Sequence, residues 1–180
     1  MKKNVLIIST SPRKKGNSDI LADEFEKGAL KSGHQVKKIV LYNKTISFCK
    51  GCLTCQSTKK CIIKDDANNI IEEMLYADVI VFATPIYFYE MCGQMKTLLD
   101  RTNPLFSSDY SFADIYLLAT AADNNESSID GAIKGLQGWI ECFDRTRIKG
   151  VIKCVGTDTI GTIKNFPNIL KDTFNLGKNI

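Results

Sequence analysis

Between an apolar run and the first amphipathic segment stands Ser9-Thr10-Ser11-Pro12-Arg13-Lys14-Lys15-Gly16-Asn17-Ser18. Its hydroxyls, the Asn17 amide, the Arg13 guanidinium and the free backbone N–H groups of a helix start are the donors that a phosphate requires, and the helix dipole adds to the attraction. No Lys follows Gly16 as in a P-loop, no G-x-G-x-x-G is present, and the segment has none of the carboxylates that a phospho-acceptor site would use. A second group is Cys49, Cys52, Cys55 and Cys61, spaced C-x2-C-x2-C-x5-C. Thiolates at this spacing can wrap one compact inorganic cluster. They can also stay free and redox-active, or hold zinc, which more often takes two separated knuckles. Lys50, Lys59, Lys60 and Lys64 flank the thiols and favour thiolate over thiol. A third group, Tyr87-Phe88-Tyr89, offers apolar surface just after a β-branched run.

The elements that must position these groups alternate. Asn4 to Ile8 is a continuous apolar run suited to a strand covered on both faces. Ser18 is expected to cap a helix carrying Leu21, Phe25, Ala29 and Leu30 as one stripe, ended by Gly33. A second strand falls in Gln35–Leu41, and about 42–64 reads as a long cysteine-bearing loop. Asp65 or Asp66 then caps a helix with Ile70, Ile71, Met74 and Leu75 inward. Val79 to Ala83 is the third strand, stopped by Pro85. A helix from about Cys92 to Thr102 follows, then a strand over Ile115–Thr120 and a helix opened by Ser127 or Ser128 and running through Trp139, which reads as core. A last strand is expected over Val151–Val155 and a short helix over Phe166–Phe174. Five strands alternating with five helices imply a doubly wound sheet with ligands bound beyond the carboxyl ends of its strands.

Composition sets the outer limits. With 180 residues, 44% of them apolar, the chain suits one α/β domain over 1–180. The 24 basic and 20 acidic residues leave a spread net charge of +4, which does not argue for a nucleic-acid partner. No segment reads as a signal peptide or as long enough to span a bilayer, so no membrane association is expected. Seven cysteines without an export signal point to reduced thiols and a cytoplasmic setting. Cys92, Cys142 and Cys154 read as core, and His34 as a surface residue at the end of the sheet away from the ligand edge.

Ser11-Pro12-Arg13, Gly16, Asn17 and Ser18 stand in register with the pattern G-S-P-R-x-x-G-N-[ST], with Thr10 in place of its Gly. Thr84-Pro85-Ile86-Tyr87 is similar to T-P-x-Y, and Lys96 with Asp100-Arg101 to K-x-x-x-D-R. On these segments, in order over most of residues 1–156, the chain resembles the NADPH-dependent FMN reductase-like branch of the flavodoxin-fold proteins. The resemblance implies a flavodoxin-like three-layer sandwich, a five-stranded parallel sheet of order 2-1-3-4-5 with helices on both faces. It implies FMN, with Ser9, Thr10, Ser11, Arg13, Gly16, Asn17 and Ser18 around the phosphate and Pro85, Ile86, Tyr87 and Phe88 along the ring. Thr120 and Ala121, opening a third edge loop, are expected near the ring or ribityl chain. The cysteine spacing resembles that of the iron-sulfur flavoprotein subgroup, which implies a [4Fe-4S] cluster on Cys49, Cys52, Cys55 and Cys61. Lys96, Asp100 and Arg101 read more simply as a solvated or ion-paired helix face.

The expected activity is that of an FMN-dependent oxidoreductase that passes electrons from NAD(P)H or a reduced carrier to a quinone, a flavin or its own cluster. No side chain is assigned a catalytic acid or base role, since the flavin carries the chemistry. A non-enzymatic flavodoxin-type carrier and a flavin-based redox sensor are the alternatives. Partners are a small-molecule or protein donor and acceptor, and a second copy of the chain in a homodimer or higher homo-oligomer.

Overall fold

Along β1 (Asn4–Ser9), Leu6 and Ile8 face one side of the sheet and Val5 and Ile7 the other, and all four are buried. Two-sided burial of a β-branched run is what a central parallel strand requires. The computed structural model describes residues 1–180. β2 (Gln35–Val40) pairs with one edge of β1, and β3 (Val79–Tyr87) with the other. A two-residue strand, β4 (Glu90–Met91), folds back antiparallel on the end of β3. β5 (Asp114–Thr120) and β6 (Arg147–Cys154) extend the sheet, giving the parallel order β2-β1-β3-β5-β6. This is the expected order 2-1-3-4-5, with β4 as an added sixth strand that is too short to carry an apolar period of its own.

On one face α1 (Asn17–Lys31) and α6 (Pro167–Lys178) cover the sheet. They touch backbone to backbone: a Cβ on Gly28 would lie 2.0 Å from the Phe174 carbonyl oxygen, and one on Gly177 2.2 Å from that of Phe25. The larger core lies on the other face, under α3 (Asp66–Tyr76), α4 (Gly93–Arg101) and α5 (Asp130–Ile140). Asp65 caps α3, its carboxylate accepting the Ala67 N–H at 3.1 Å. A one-turn helix, α2 (Thr54–Thr58), interrupts the cysteine loop.

Several local expectations are corrected. Leu30 is exposed because Leu21, Ala22, Phe25 and Ala29 already fill the inward face of α1. His34 is buried, and its Nδ1 accepts the Lys3 N–H at 3.1 Å, closing the amino end of the sheet. Cys142 lies beyond α5 and is exposed. β6 starts at Arg147 and α6 runs on to Lys178, both outlasting their apolar cores. No helix is long and apolar enough to cross a membrane.

Candidate functional site

Ser9 ends β1 beside Ala83, Pro85 in β3 stands beside Thr120, and Thr120 beside Cys154. The loops that follow β1, β3, β5 and β6 therefore leave one edge of the sheet together, the edge at which parallel α/β sheets bind ligands.

The first loop is stitched to β3 by Thr10, whose N–H and hydroxyl both donate to the Ala83 carbonyl at 2.8 and 3.0 Å. Ser11 closes the turn, its hydroxyl donating to the Arg13 carbonyl at 3.0 Å and accepting the Arg13 N–H at 3.1 Å. A Cβ on Gly16 would lie 2.5 Å from that hydroxyl, so the position is reserved for glycine. Gly16, in extended conformation, takes the N-cap place expected of Ser18. The helix thus starts two residues early, and Ser18 lies inside its first turn. The Ser18 hydroxyl is buried and has no partner. The backbone N–H groups of Asn17, Ser18 and Asp19 have no protein acceptor either. Arg13 is exposed at the rim of this loop.

Asn17 has a different task from the expected one. Its Nδ2 donates to the carbonyls of Thr157 and Thr159 at 3.3 and 2.7 Å, and its Oδ1 accepts the N–H groups of Gly161 and Ile163 at 2.9 and 3.3 Å. The side chain pins the loop after β6 against the start of α1, leaving only its backbone N–H for the cradle.

At the end of β3 the chain reverses through Phe88 and Tyr89, whose φ angles of 50° and 64° put two aromatic residues in the left-handed region. A two-residue hairpin of this kind prefers Asn or Gly there. Tyr87, Phe88 and Tyr89 are all exposed, Phe88 completely. The hairpin is anchored on both sides. A Cβ on Gly131 would lie 2.2 Å from the Tyr89 carbonyl oxygen, and the Tyr89 hydroxyl donates to Asp123 at 3.1 Å. The Asn125 N–H and the Tyr89 hydroxyl hold the Asp123 carboxyl below its ordinary value. Thr120 and Ala121 are buried; the Ala121 N–H donates to Cys154 and its carbonyl accepts both the N–H and the hydroxyl of Thr157. Between the first two loops lies Cys92, whose sulfur is 3.2 Å from the Thr10 hydroxyl and 3.4 Å from that of Thr84.

The cysteine loop is tied down by Arg101, which is buried rather than on a solvated face. Its guanidinium forms a two-pronged pair with Asp65, at 2.7 and 3.1 Å, and also donates to the carbonyls of Ser47 and Ile63. Lys96 and Asp100 form the expected exposed ion pair. Burial alone would raise the Asp65 carboxyl, but the Arg101 bonds and the N–H groups of Ser47 and Ala67 outweigh it and hold it below its ordinary value. Cys49, Cys52, Cys55 and Cys61 line one small cavity of about 20 Å³ together with Arg101. No three of the protein's His, Cys, Asp or Glu side chains close around a single-ion point. Bonds from Thr54, with Lys50 nearby, lower the Cys52 thiol, while burial and the neighbouring thiols raise that of Cys55.

The family description "NADPH-dependent FMN reductase" matches residues 3–132. The chain belongs to the NADPH-dependent FMN reductase family. Among its relatives, an iron-sulfur flavoprotein of Methanocaldococcus jannaschii is 38% identical over 101 residues, 56% of this chain and 52% of that protein. A Bacillus subtilis protein named as an NAD(P)H-dependent FMN-containing oxidoreductase is 29% identical, over 73% of this chain and 71% of its own length. The chain spans about half the length of the iron-sulfur flavoproteins it matches, such as 52% and 43% of the first two. The same fold occurs in an NAD(P)H:quinone oxidoreductase from Methanothermobacter marburgensis, with a TM-score of 0.71, 18% identity and coverage of 99% and 97% of the two chains. An azoreductase of Bacillus anthracis shares it too, with a TM-score of 0.71 and 16% identity over the whole of both chains.

Of the residues selected from sequence, Ser9, Thr10, Ser11, Arg13, Gly16 and Ser18 gather in one loop, and Pro85 to Phe88 with Thr120 and Ala121 border the same sheet edge. Sequence reasoning missed the loop at 157–163, the Tyr89–Asp123 link and the burial of Arg101. The first two arise from pairings over long sequence separations. The K-x-x-x-D-R pattern was a usable signal for the third.

Proposed function

We propose that this chain binds FMN at the carboxyl edge of its sheet and works as an NAD(P)H-dependent oxidoreductase that passes electrons to a quinone or related acceptor. The observation that carries this is the Ser18 hydroxyl, buried without a partner beside the free first-turn N–H groups of α1. A buried unpaired donor in a native fold calls for a ligand, and at a helix start the matching ligand is an anion. Ser9, Thr10, Ser11, Arg13, Gly16 and Ser18, with the Asn17 backbone, suit the phosphate. Pro85, Ile86, Tyr87 and Phe88 offer backbone groups and apolar surface for a flavin ring, with Thr120 and Ala121 on its flank. FMN, when bound, supplies the hydride-accepting chemistry; the side chains position it and control access. The test is steady-state oxidation of NADH and NADPH by FMN-loaded protein with a soluble benzoquinone. Turnover above that of free FMN supports the proposal, and loaded protein without it would be an electron shuttle.

The cysteine loop supports a second property, a [4Fe-4S] cluster on Cys49, Cys52, Cys55 and Cys61. The donor set fits: four thiols share one cavity, and the flanking lysines offset thiolate charge. The cavity of about 20 Å³ is smaller than such a cluster, so loading requires the 49–61 loop to spread. Iron and acid-labile sulfide per chain after anaerobic reconstitution, with Cys52→Ala as control, test this. The exposed Tyr87, Phe88 and Tyr89 suit a second copy of the chain covering the flavin edge. FMN-loaded protein that sediments only as a monomer at micromolar concentration would refute that homodimer.

A further inference from the structure

A guanidinium has five N–H groups, and four of those on Arg101 have acceptors. Nη1 donates to Asp65 Oδ2 and the Ser47 carbonyl, Nη2 to Asp65 Oδ1 and the Ile63 carbonyl. The fifth, on Nε, is buried and has none. Arg101 is 1% exposed, so water is no substitute. Its side chain lines the same cavity as the four loop cysteines. No Asp or Glu occurs from Lys44 to Lys64, so the acceptors left on that side are backbone and sulfur. Burial works against the Arg101 cation, and bonds from Asp65 and from Cys61 outweigh it. Ser47 and Ile63 bracket the cysteine segment, so the group that fixes both ends of the loop also presents its one spare donor to the interior.

We propose that Arg101 is a positioning residue of the cysteine site, with its Nε–H the donor for the Cys61 sulfur as a thiolate, whether that thiolate is free or ligating. This rests on thiolate chemistry in the loop, as in the function proposed above, but not on a cluster occupying it. The role differs from that of a clamp. A clamp only restrains the loop, so its loss exposes Cys61. A donor to sulfur also enriches the thiolate, so its loss slows Cys61 chemistry even as the loop loosens.

The experiment uses reduced, metal-free full-length protein and iodoacetamide at pH 7, with labelling of each cysteine followed by peptide mass spectrometry. Asp65→Asn weakens the clamp and keeps the Nε donor; Arg101→Gln combined with Asp65→Asn removes the donor in the same weakened clamp and leaves a neutral pair. Cys61 is expected to label about three- to tenfold more slowly in the double variant than in Asp65→Asn, with Cys52 unchanged between them. Equal or faster Cys61 labelling in the double variant overturns the proposal. If the double variant does not fold, Arg101→Lys replaces it, compared with wild type; its ammonium cannot reproduce the fork and the same direction is expected, with equal or faster labelling again overturning the proposal. Iron content after reconstitution is measured in parallel. Wild type holding no more iron than Cys52→Ala would refute the cluster alone, because the labelling is read without metal.

Discussion

Replacing Ser18 by Ala should move two measurable quantities in opposite directions. In the free protein the Ser18 hydroxyl is 1% exposed and unpartnered, so it carries a desolvation penalty of about 1–3 kcal/mol without return. Alanine removes that penalty and is the better helix former by roughly 0.5 kcal/mol, while the small void left behind takes some of the gain back. The apoprotein should therefore gain about 1–2 kcal/mol. With FMN bound, the same change removes a hydrogen bond to a charged phosphate, worth about 1.5–3 kcal/mol, which weakens FMN binding roughly ten- to hundredfold. Urea unfolding of the apoprotein gives the first quantity and flavin fluorescence titration the second. An apoprotein destabilised by Ser18→Ala would mean that the hydroxyl is already satisfied. Unchanged FMN affinity would mean that it does not serve the phosphate.

Gly131→Ala places a Cβ 2.2 Å from the Tyr89 carbonyl oxygen, backbone against backbone, so the hairpin must shift; we expect a loss of about 1–3 kcal/mol in thermal or urea unfolding together with weaker FMN binding. Asn17→Ala removes the four bonds to the 157–163 loop and should cost about 1–3 kcal/mol, with faster amide exchange at Gly161 and Ile163 as its local signature. Asp65 is held below its ordinary value, so its contribution to stability is full above the ordinary carboxylate range, near pH 4, and is lost as pH falls through the lower folded value. Limited proteolysis by an acid-active protease should therefore open the 44–64 segment on acidification, and Asp65→Asn should show that susceptibility already at neutral pH.

The parallel layers were legible because their apolar runs are one-dimensional signals: Val5 to Ile8 and Val79 to Ala83 announce two-sided burial without reference to anything else in the chain. Hydroxyls, glycine and arginine after β1 likewise marked the anion loop. What sequence hid was the partner of each polar group. Asn17 has the right chemistry for a phosphate, yet its amide is engaged by carbonyl and N–H groups 140 or more residues away. Arg101 sits among polar neighbours at the end of α4 and reads as exposed, but a carboxylate 36 residues earlier draws it inward. The turn at Phe88 and Tyr89 broke the usual turn chemistry, so nothing local announced β4. That strained hairpin borders the proposed flavin edge, where a violated local rule is most informative.

The central claim is that the loop from Ser9 to Ser18 is built for the phosphate of FMN, and removing that phosphate from the ligand tests it most directly. Apoprotein is titrated in parallel with FMN and with riboflavin, which shares the ring and ribityl chain but carries no phosphate. With several charge-assisted bonds from the cradle, FMN should bind at least a hundredfold more tightly, and the gap should shrink in an Arg13→Ala/Ser18→Ala double variant. Equal affinities for FMN and riboflavin in the wild-type protein would contradict the claim.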